Sequence, residues 1–259
     1  MKKKPVTRMR LNERRKRESY LWYGVSAFAL VAVIGAVAYV TRLPELRVSE
    51  VRVEGAVHAN AAELETLARD TLASTYAFLV PKDLKYVVPK GAIVERIATV
   101  PQVESARVTR DGGVLTITVT ERIPRARYCT TECFRMDAYG FIFDSTHDDT
   151  HTVYRGGQLG VGGTYLDGRF HDLYKTVLEL EAAVGAHATD VTVDNVNDVF
   201  ARFEGQGEVR FTLDSSGQKL VADIAAVMKS DRMAQTPTFE YIDLRFGTKA
   251  VVMPLHDKK

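Results

Sequence analysis

The side chains best suited to chemistry lie in the middle of the chain. Two histidines stand four apart with acids between them, in His147-Asp148-Asp149-Thr150-His151. On a helix that spacing puts both imidazoles on one face and could begin a metal site. The surrounding stretch, STHDDTHT (145–152), is too polar and too rich in threonine for a helix, so an exposed loop is the expectation. Just beyond it, Gly156-Gly157-Gln158-Leu159-Gly160-Val161-Gly162-Gly163 has the glycine content of a phosphate cradle. It lacks the Lys-Ser/Thr of a P-loop and misses the dinucleotide spacing, so it reads as a flexible connector. Cys129 and Cys133 form a close pair in YCTTEC. They fit a disulfide across a tight turn, two free thiols, or part of a zinc site, although nothing beside the pair completes about four ligands. No G-x-S-x-G elbow is present, and the acids are scattered, so no nucleophile or carboxylate pair can be nominated. The reading is a protein with no catalytic residues, no metal, no cofactor and no small-molecule substrate.

The elements around these residues begin with a membrane signal. Residues 21–40 (LWYGVSAFALVAVIGAVAYV) are apolar and uncharged. As a helix they span about 30 Å, the thickness of a bilayer's hydrocarbon core. Residues 1–20 form a basic tail holding nine Lys/Arg against Glu13 and Glu18. Basic flanks stay in the cytoplasm, so the chain after Val40 is expected outside, in a single-pass arrangement. Ala36-Val37-Ala38 also has the small-x-small pattern of a cleaved signal, but the tail and the apolar run are both long for one. The charge of +2 hides a split, since the chain beyond the span is net acidic. The basic residues therefore read as a topology signal and a headgroup contact, not as a nucleic-acid footprint.

Beyond the span, LRVSEVRV (46–53) alternates as a strand closed by Glu54-Gly55. Asn60 is placed as an N-cap with Glu63 three residues later, ahead of Leu64, Leu67, Ala68 and Leu72 at helical spacing. A second helix fits 89–99, with Ile93, Val94 and Ile97 on one face and Pro101 ending it. Residues 103–110 and 114–120 flank Asp111-Gly112-Gly113, a strong hairpin signal. The pattern breaks at Thr120-Glu121-Arg122-Ile123-Pro124, which marks a boundary near 122. The second half shows short strands at 125–129, 134–137 and 141–144. A helix at 172–184, strands at 191–193, 199–204 and 208–213, a helix at 217–230 and strands at 241–244 and 249–253 follow.

Four stretches carry a resemblance. RVSEVRVEGAVHANAAEL (47–64) resembles the opening strand and turn of a POTRA domain, with Ala56 and Val57 where Asn is more usual. VPQVESARVTRDGGVLTITVTERIPRA (100–126) resembles its closing hairpin and "ERxP" exit. MDAYGFIFD (136–144) and YIDLRFGTKAVV (241–252) resemble the "vDxxGxvF" strand pair and the "DLR" ending of the FtsQ/DivIB family of bacterial cell-division proteins. The order and spacing agree over residues 1–255; the CTTEC insertion and the 145–168 loop depart from it.

The resemblance implies an α+β protein with one transmembrane helix (21–40) and a POTRA domain of βααββ order (46–122). A second, β-rich domain (123–255) follows, built on a twisted, mostly antiparallel sheet, with a short tail (256–259). It implies a non-enzymatic scaffold in the cytoplasmic membrane, at the division septum, whose last strand pairs with a small bitopic coiled-coil partner of the FtsB/FtsL type. Carried onto this chain, that strand is Phe246, Gly247, Thr248, Lys249, Ala250, Val251, Val252 and Met253, with Phe246 as an aromatic anchor. Tyr241, Asp243 and Arg245 would fix the strand within the fold. The alternatives are a terminal strand pairing only within its own sheet, a POTRA-containing secretion or sensor component docking an envelope protein, and a membrane-anchored wall hydrolase or transferase.

Overall fold

The computed structural model describes residues 7–76, 80–146, 150–194, 197–231, 233, 238–247 and 249–255. Its first helix, α1 (Thr7–Val40), is 34 residues long. It takes in most of the basic tail, because Lys, Arg and Glu are good helix formers and no proline interrupts them after Pro5. The 21 residues Tyr20–Val40 are long and apolar enough to cross a membrane, and that apolar surface is not buried within the protein.

The chain divides into two compact units, Met1–Val100 with Ser105–Thr120, and Pro101–Glu104 with Glu121–Lys259. In the first, β1 (Glu50–Glu54) is followed by α2 (Ala61–Leu72), a two-rung hairpin of β2 (Thr75–Tyr76) and β3 (Val80–Pro81), then α3 (Lys90–Ile97). A hairpin of β4 (Val103–Asp111) and β5 (Val114–Glu121) closes it. The sheet order is β1-β5-β4, with β1 parallel to β5 from Glu50 opposite Val114 to Glu54 opposite Thr118. Leu115, Ile117 and Val119 point into the core, where Leu64, Ala68 and Leu72 from α2 and Ile93 and Ile97 from α3 cover them. Asn60 caps α2, its carboxamide oxygen accepting from the Ala62 and Glu63 amides at 3.1 and 3.4 Å. The strand predicted from Leu46 starts only at Glu50. Pro44–Leu46 form a short 3-10 turn instead, and the next residues are held by a different segment: the Val48 amide donates to the Asp83 carbonyl and the Lys85 amide to the Leu46 carbonyl.

The second unit runs β6 (Ala126–Cys129), β7 (Cys133–Met136), β8 (Ile142–Ser145), β9 (Val153–Arg155), α4 (Phe170–Val184), β10 (Ala188–Val193), β11 (Asp198–Phe203), β12 (Glu208–Thr212), α5 (Gly217–Met228), β13 (Phe239–Asp243) and β14 (Val251–Pro254). One nine-stranded sheet has the order β14-β13-β12-β11-β10-β9-β6-β7-β8. Most of its pairs are antiparallel; β6–β9, β9–β10 and β12–β13 are parallel. Two of those parallel pairs are joined through a helix, since a parallel pair needs a long crossover. The helices bury one face each. Phe170, Leu173, Val177, Leu180 and Val184 form the inward stripe of α4, and Leu220 and Ile224 that of α5. They cover Val191, Val193, Val199, Ala201, Phe203, Val209, Phe211 and Ile242 on the sheet. Gly185 ends α4 in the left-handed region (φ 76°), its amide donating to the Glu181 carbonyl.

Two of the motif stretches meet in this unit. The Asp137 carboxylate accepts from the Tyr139 and Phe141 amides at 2.8 and 3.0 Å and pairs with Arg122 at 2.7 Å. The Arg122 guanidinium also lies 4.1 Å from the centre of the Phe141 ring. Gly140, at φ 88°, has no room for a Cβ, which would meet the Tyr165 carbonyl oxygen at 2.6 Å.

Replacing Asn60 by Ala removes the cap from α2. It should lower the stability of the first unit by about 1 kcal/mol, read as an earlier urea midpoint with an unchanged slope for the detergent-solubilised chain.

Candidate functional site

The nine-stranded sheet has two edges, and the chain treats them differently. At the β8 edge the glycine-rich stretch folds back onto the strand. The Ile142 amide donates to the Gly163 carbonyl at 2.9 Å, the Gly162 amide donates to the Ile142 carbonyl at 2.8 Å, and Phe141 bridges Thr164. Tyrosines pin the same stretch: the Tyr128 hydroxyl donates to the Gly156 carbonyl and accepts from the Leu159 amide, and the Tyr165 hydroxyl donates to the Arg155 carbonyl at 2.6 Å. The flexible connector expected from its glycines is therefore a tied edge cover. What remains of β8 is three residues long and carries Asp144, a charge of the kind that blunts an edge.

The β14 edge has no such cover among the described residues. Its partner is β13, with Asp243 opposite Val251, Ile242 opposite Val252 and Tyr241 opposite Met253. The Leu244 amide donates to the Arg210 carbonyl on β12. Because backbone groups alternate sides along a strand, Asp243 and Tyr241 then face β14 and bond Val251 and Met253. The Val252 N–H and C=O are left directed away from the sheet. Pro254 ends the strand and brings a carbonyl but no N–H. The side chains alternate as well: Val252 packs on the core beneath the helices, while Val251 and Met253 lie exposed on the other face.

The strand expected over Phe246–Met253 is shorter than the sequence suggested. Phe246 and Gly247 lie in a turn, Lys249 and Ala250 are irregular, and only Val251, Val252 and Met253 are in β14; Thr248 lies outside the described residues. The turn has a cause. Gly247 adopts φ 73°, and Lys219 at the start of α5 donates to its carbonyl at 2.8 Å. Phe246 is 61 % exposed at the tip of that turn, beside the edge rather than on it.

The base of the edge is an ionic lock. The Arg245 guanidinium donates to the Asp243 carboxylate at 2.7, 3.0 and 3.2 Å, its backbone amide donates to the same carboxylate at 3.0 Å, and the guanidinium pairs with Asp198 on β11. Asp243 is buried, and the Arg245 hydrogen bonds hold its carboxyl below the usual 3.8, against burial, which pushes the other way. Asp243 and Arg245 meet as a turn contact, since Arg245 follows the end of β13. Beside them the helix-free face carries a cation–π row, with the Arg210 guanidinium 4.1 Å from the Tyr241 ring and 5.9 Å from that of Phe200. The pairing to Asp198, 47 residues away, left no trace in the sequence.

The remaining candidates are simply placed. The sulfurs of Cys129 and Cys133 are bonded across the β6–β7 turn, with Cα atoms 4.2 Å apart. His147, Asp148 and Asp149 lie outside the described residues; the His151 carbonyl accepts from Arg127 at 3.0 Å. Among the described residues no group of three or more His, Cys, Asp or Glu is arranged to hold a metal ion. A cleft of about 590 Å3 lies between α4 and the start of α5 and is lined mostly by polar side chains such as Arg169, Asp172, Thr176 and Ser216. Compared with known proteins, the chain matches no protein-family model and no curated protein.

Replacing Arg245 by Ala leaves Asp243 buried without its counter-charge and should cost about 3 kcal/mol. The folded carboxyl titrates below its unfolded value, so its contribution is present above pH 3.8 and fades as the pH falls through the folded value. Acid unfolding monitored by circular dichroism should therefore show a shallower loss below pH 3.8 in R245A than in the parent.

Proposed function

We propose that this chain is a non-enzymatic, single-pass membrane scaffold that receives an extended segment of a partner along β14. The observation that carries the reading is the open edge: the outward Val252 N–H and C=O beside a sheet whose other edge is tied down. An added strand finds backbone partners there, and Val251 and Met253 offer apolar contacts on one face. The arrangement supports the resemblance to the FtsQ/DivIB family. The βααββ order of the first unit, broken only by the β2–β3 rungs, fits a POTRA domain, and the apolar Tyr20–Val40 helix fits an anchor in the cytoplasmic membrane. On this reading the basic N-terminus is cytoplasmic, both units are extracytoplasmic, and the partners are septal proteins of the FtsB/FtsL type.

Two proline variants separate the edge from the fold. Val252→Pro removes an N–H that the sheet does not use. It should leave thermal unfolding within about 1 kcal/mol of the parent, as edge positions tolerate proline. Small single-pass coiled-coil proteins should copurify with tagged parent protein from native membranes and be lost from V252P. Val251→Pro removes a bond to β13 and should destabilise the sheet itself by about 2 kcal/mol, through the lost ladder bond and its unsatisfied partner. Partner capture that survives V252P unchanged would overturn strand addition at this edge. A protein spread evenly over the membrane, with no enrichment at midcell, would favour a secretion or sensor role.

A further inference from the structure

One end of the first unit gathers segments that are distant in sequence. The Val48 amide donates to the Asp83 carbonyl, the Ser49 amide to the Gly113 carbonyl, and the Lys82 amide to the Ser74 carbonyl. The Arg47 Nε donates to the Asp83 carboxylate at 2.7 Å. This end is also the one closest to α1 along the chain. Only six residue steps separate Val40 from Leu46, whose carbonyl takes the Lys85 amide. Fully extended, six residues reach about 21 Å, so Leu46, to which Lys85 is bonded, cannot stray further than that from the end of α1.

The same end is exposed, apolar at its tip and basic around it. Tyr86 is 74 % exposed and Val87 48 %. The Lys85 ammonium and the Arg110 guanidinium lie 5.7 and 5.3 Å from the centre of the Tyr86 ring. Residues 42–49, 82–90 and 110–111 hold six Lys/Arg against three acids, and one of those acids, Asp83, is bound to Arg47. The chain beyond the span is otherwise net acidic. A tyrosine with a flanking apolar residue and long cationic side chains suits the boundary between headgroups and water, where one end of each group stays wet.

We infer that Tyr86 and Val87, with Lys85 and Arg110 at the Tyr86 ring and Lys82 and Lys90 close by in the chain, rest on the anionic phospholipid surface in which α1 is embedded. The inference depends on the reading of Tyr20–Val40 as a membrane span. Charge selects the lipid: basic residues held near an anionic surface are drawn to it, an attraction that acts within a Debye length of about 8 Å. The contact would hold the first unit against the bilayer instead of letting it swing on the 41–46 linker.

The test is amide hydrogen exchange on the full-length chain in nanodiscs of phosphatidylglycerol and of phosphatidylcholine. Amides 84–88 should exchange about tenfold more slowly in the anionic discs, a factor equal to roughly 1.4 kcal/mol. That slowing should vanish in K82E/K85E/K90E, while amides of α2 and α3 exchange as in the parent, which shows that the unit still folds. Equal exchange in both lipids, or slowing that survives the charge reversal, would overturn the patch while leaving the span intact. A chain that does not enter the discs at all would overturn the span and the patch together.

Discussion

Each strand of a sheet offers hydrogen-bonding groups to both sides, so an open nine-stranded sheet ends in two rows of backbone that no neighbour satisfies. Most of the distinctive features of the second unit answer that constraint. The glycine-rich stretch, with two tyrosine hydroxyls to hold it, bonds both backbone groups of Ile142 at one edge. At the other edge β14 has no further strand beside it among the described residues. The Val252 N–H and C=O face outward, and Pro254 limits how far a further ladder could run.

The helix layer explains which groups are left for contact. With α4 and α5 on one face, every second residue of β10 to β14 is buried under them, and the alternate residues face water. That wet face is a set of cross-strand rows. Phe200, Arg210, Asp243 and Val251 stand in one register, and Arg202, Glu208, Tyr241 and Met253 in the next. Its charges are mutually neutralised, with Glu208 between Arg202 and Arg210 and Arg245 between Asp243 and Asp198. Individually such exposed pairs contribute little. The Arg245 lock differs because one of its acids is buried, and because it joins β11 to the turn that leads into the last strand.

The sequence revealed more of the fold than of the site. Long periodic elements were legible: the 3.6-residue spacing of Leu173, Val177, Leu180 and Val184 marked α4, and Asp111-Gly112-Gly113 marked the β4–β5 turn. Three-residue β9 and the two-rung β2–β3 hairpin were missed, because so few residues show no period. The alternation of Leu46 and Val48 suggested strand where the backbone is tied to Asp83 and Lys85 instead, a partnership no local pattern encodes. The edge strand was assigned to the correct end of the chain but made too long, since Lys219 stabilises the Gly247 turn from another element. The role of the glycine-rich stretch was hidden for the same reason, because the tyrosines that hold it act partly from elsewhere in the chain.

The unequal edges also limit what the second sheet can build. A sheet with two open edges can propagate, each copy templating the next, and risks growing into fibrils. A sheet with one tied edge terminates after a single addition. Pairing through β14 alone gives either a one-to-one complex with another chain or a two-fold symmetric pair of identical chains, both of which are closed. The tyrosine-pinned loop at β8 therefore limits strand addition to this sheet from the opposite edge, far from β14.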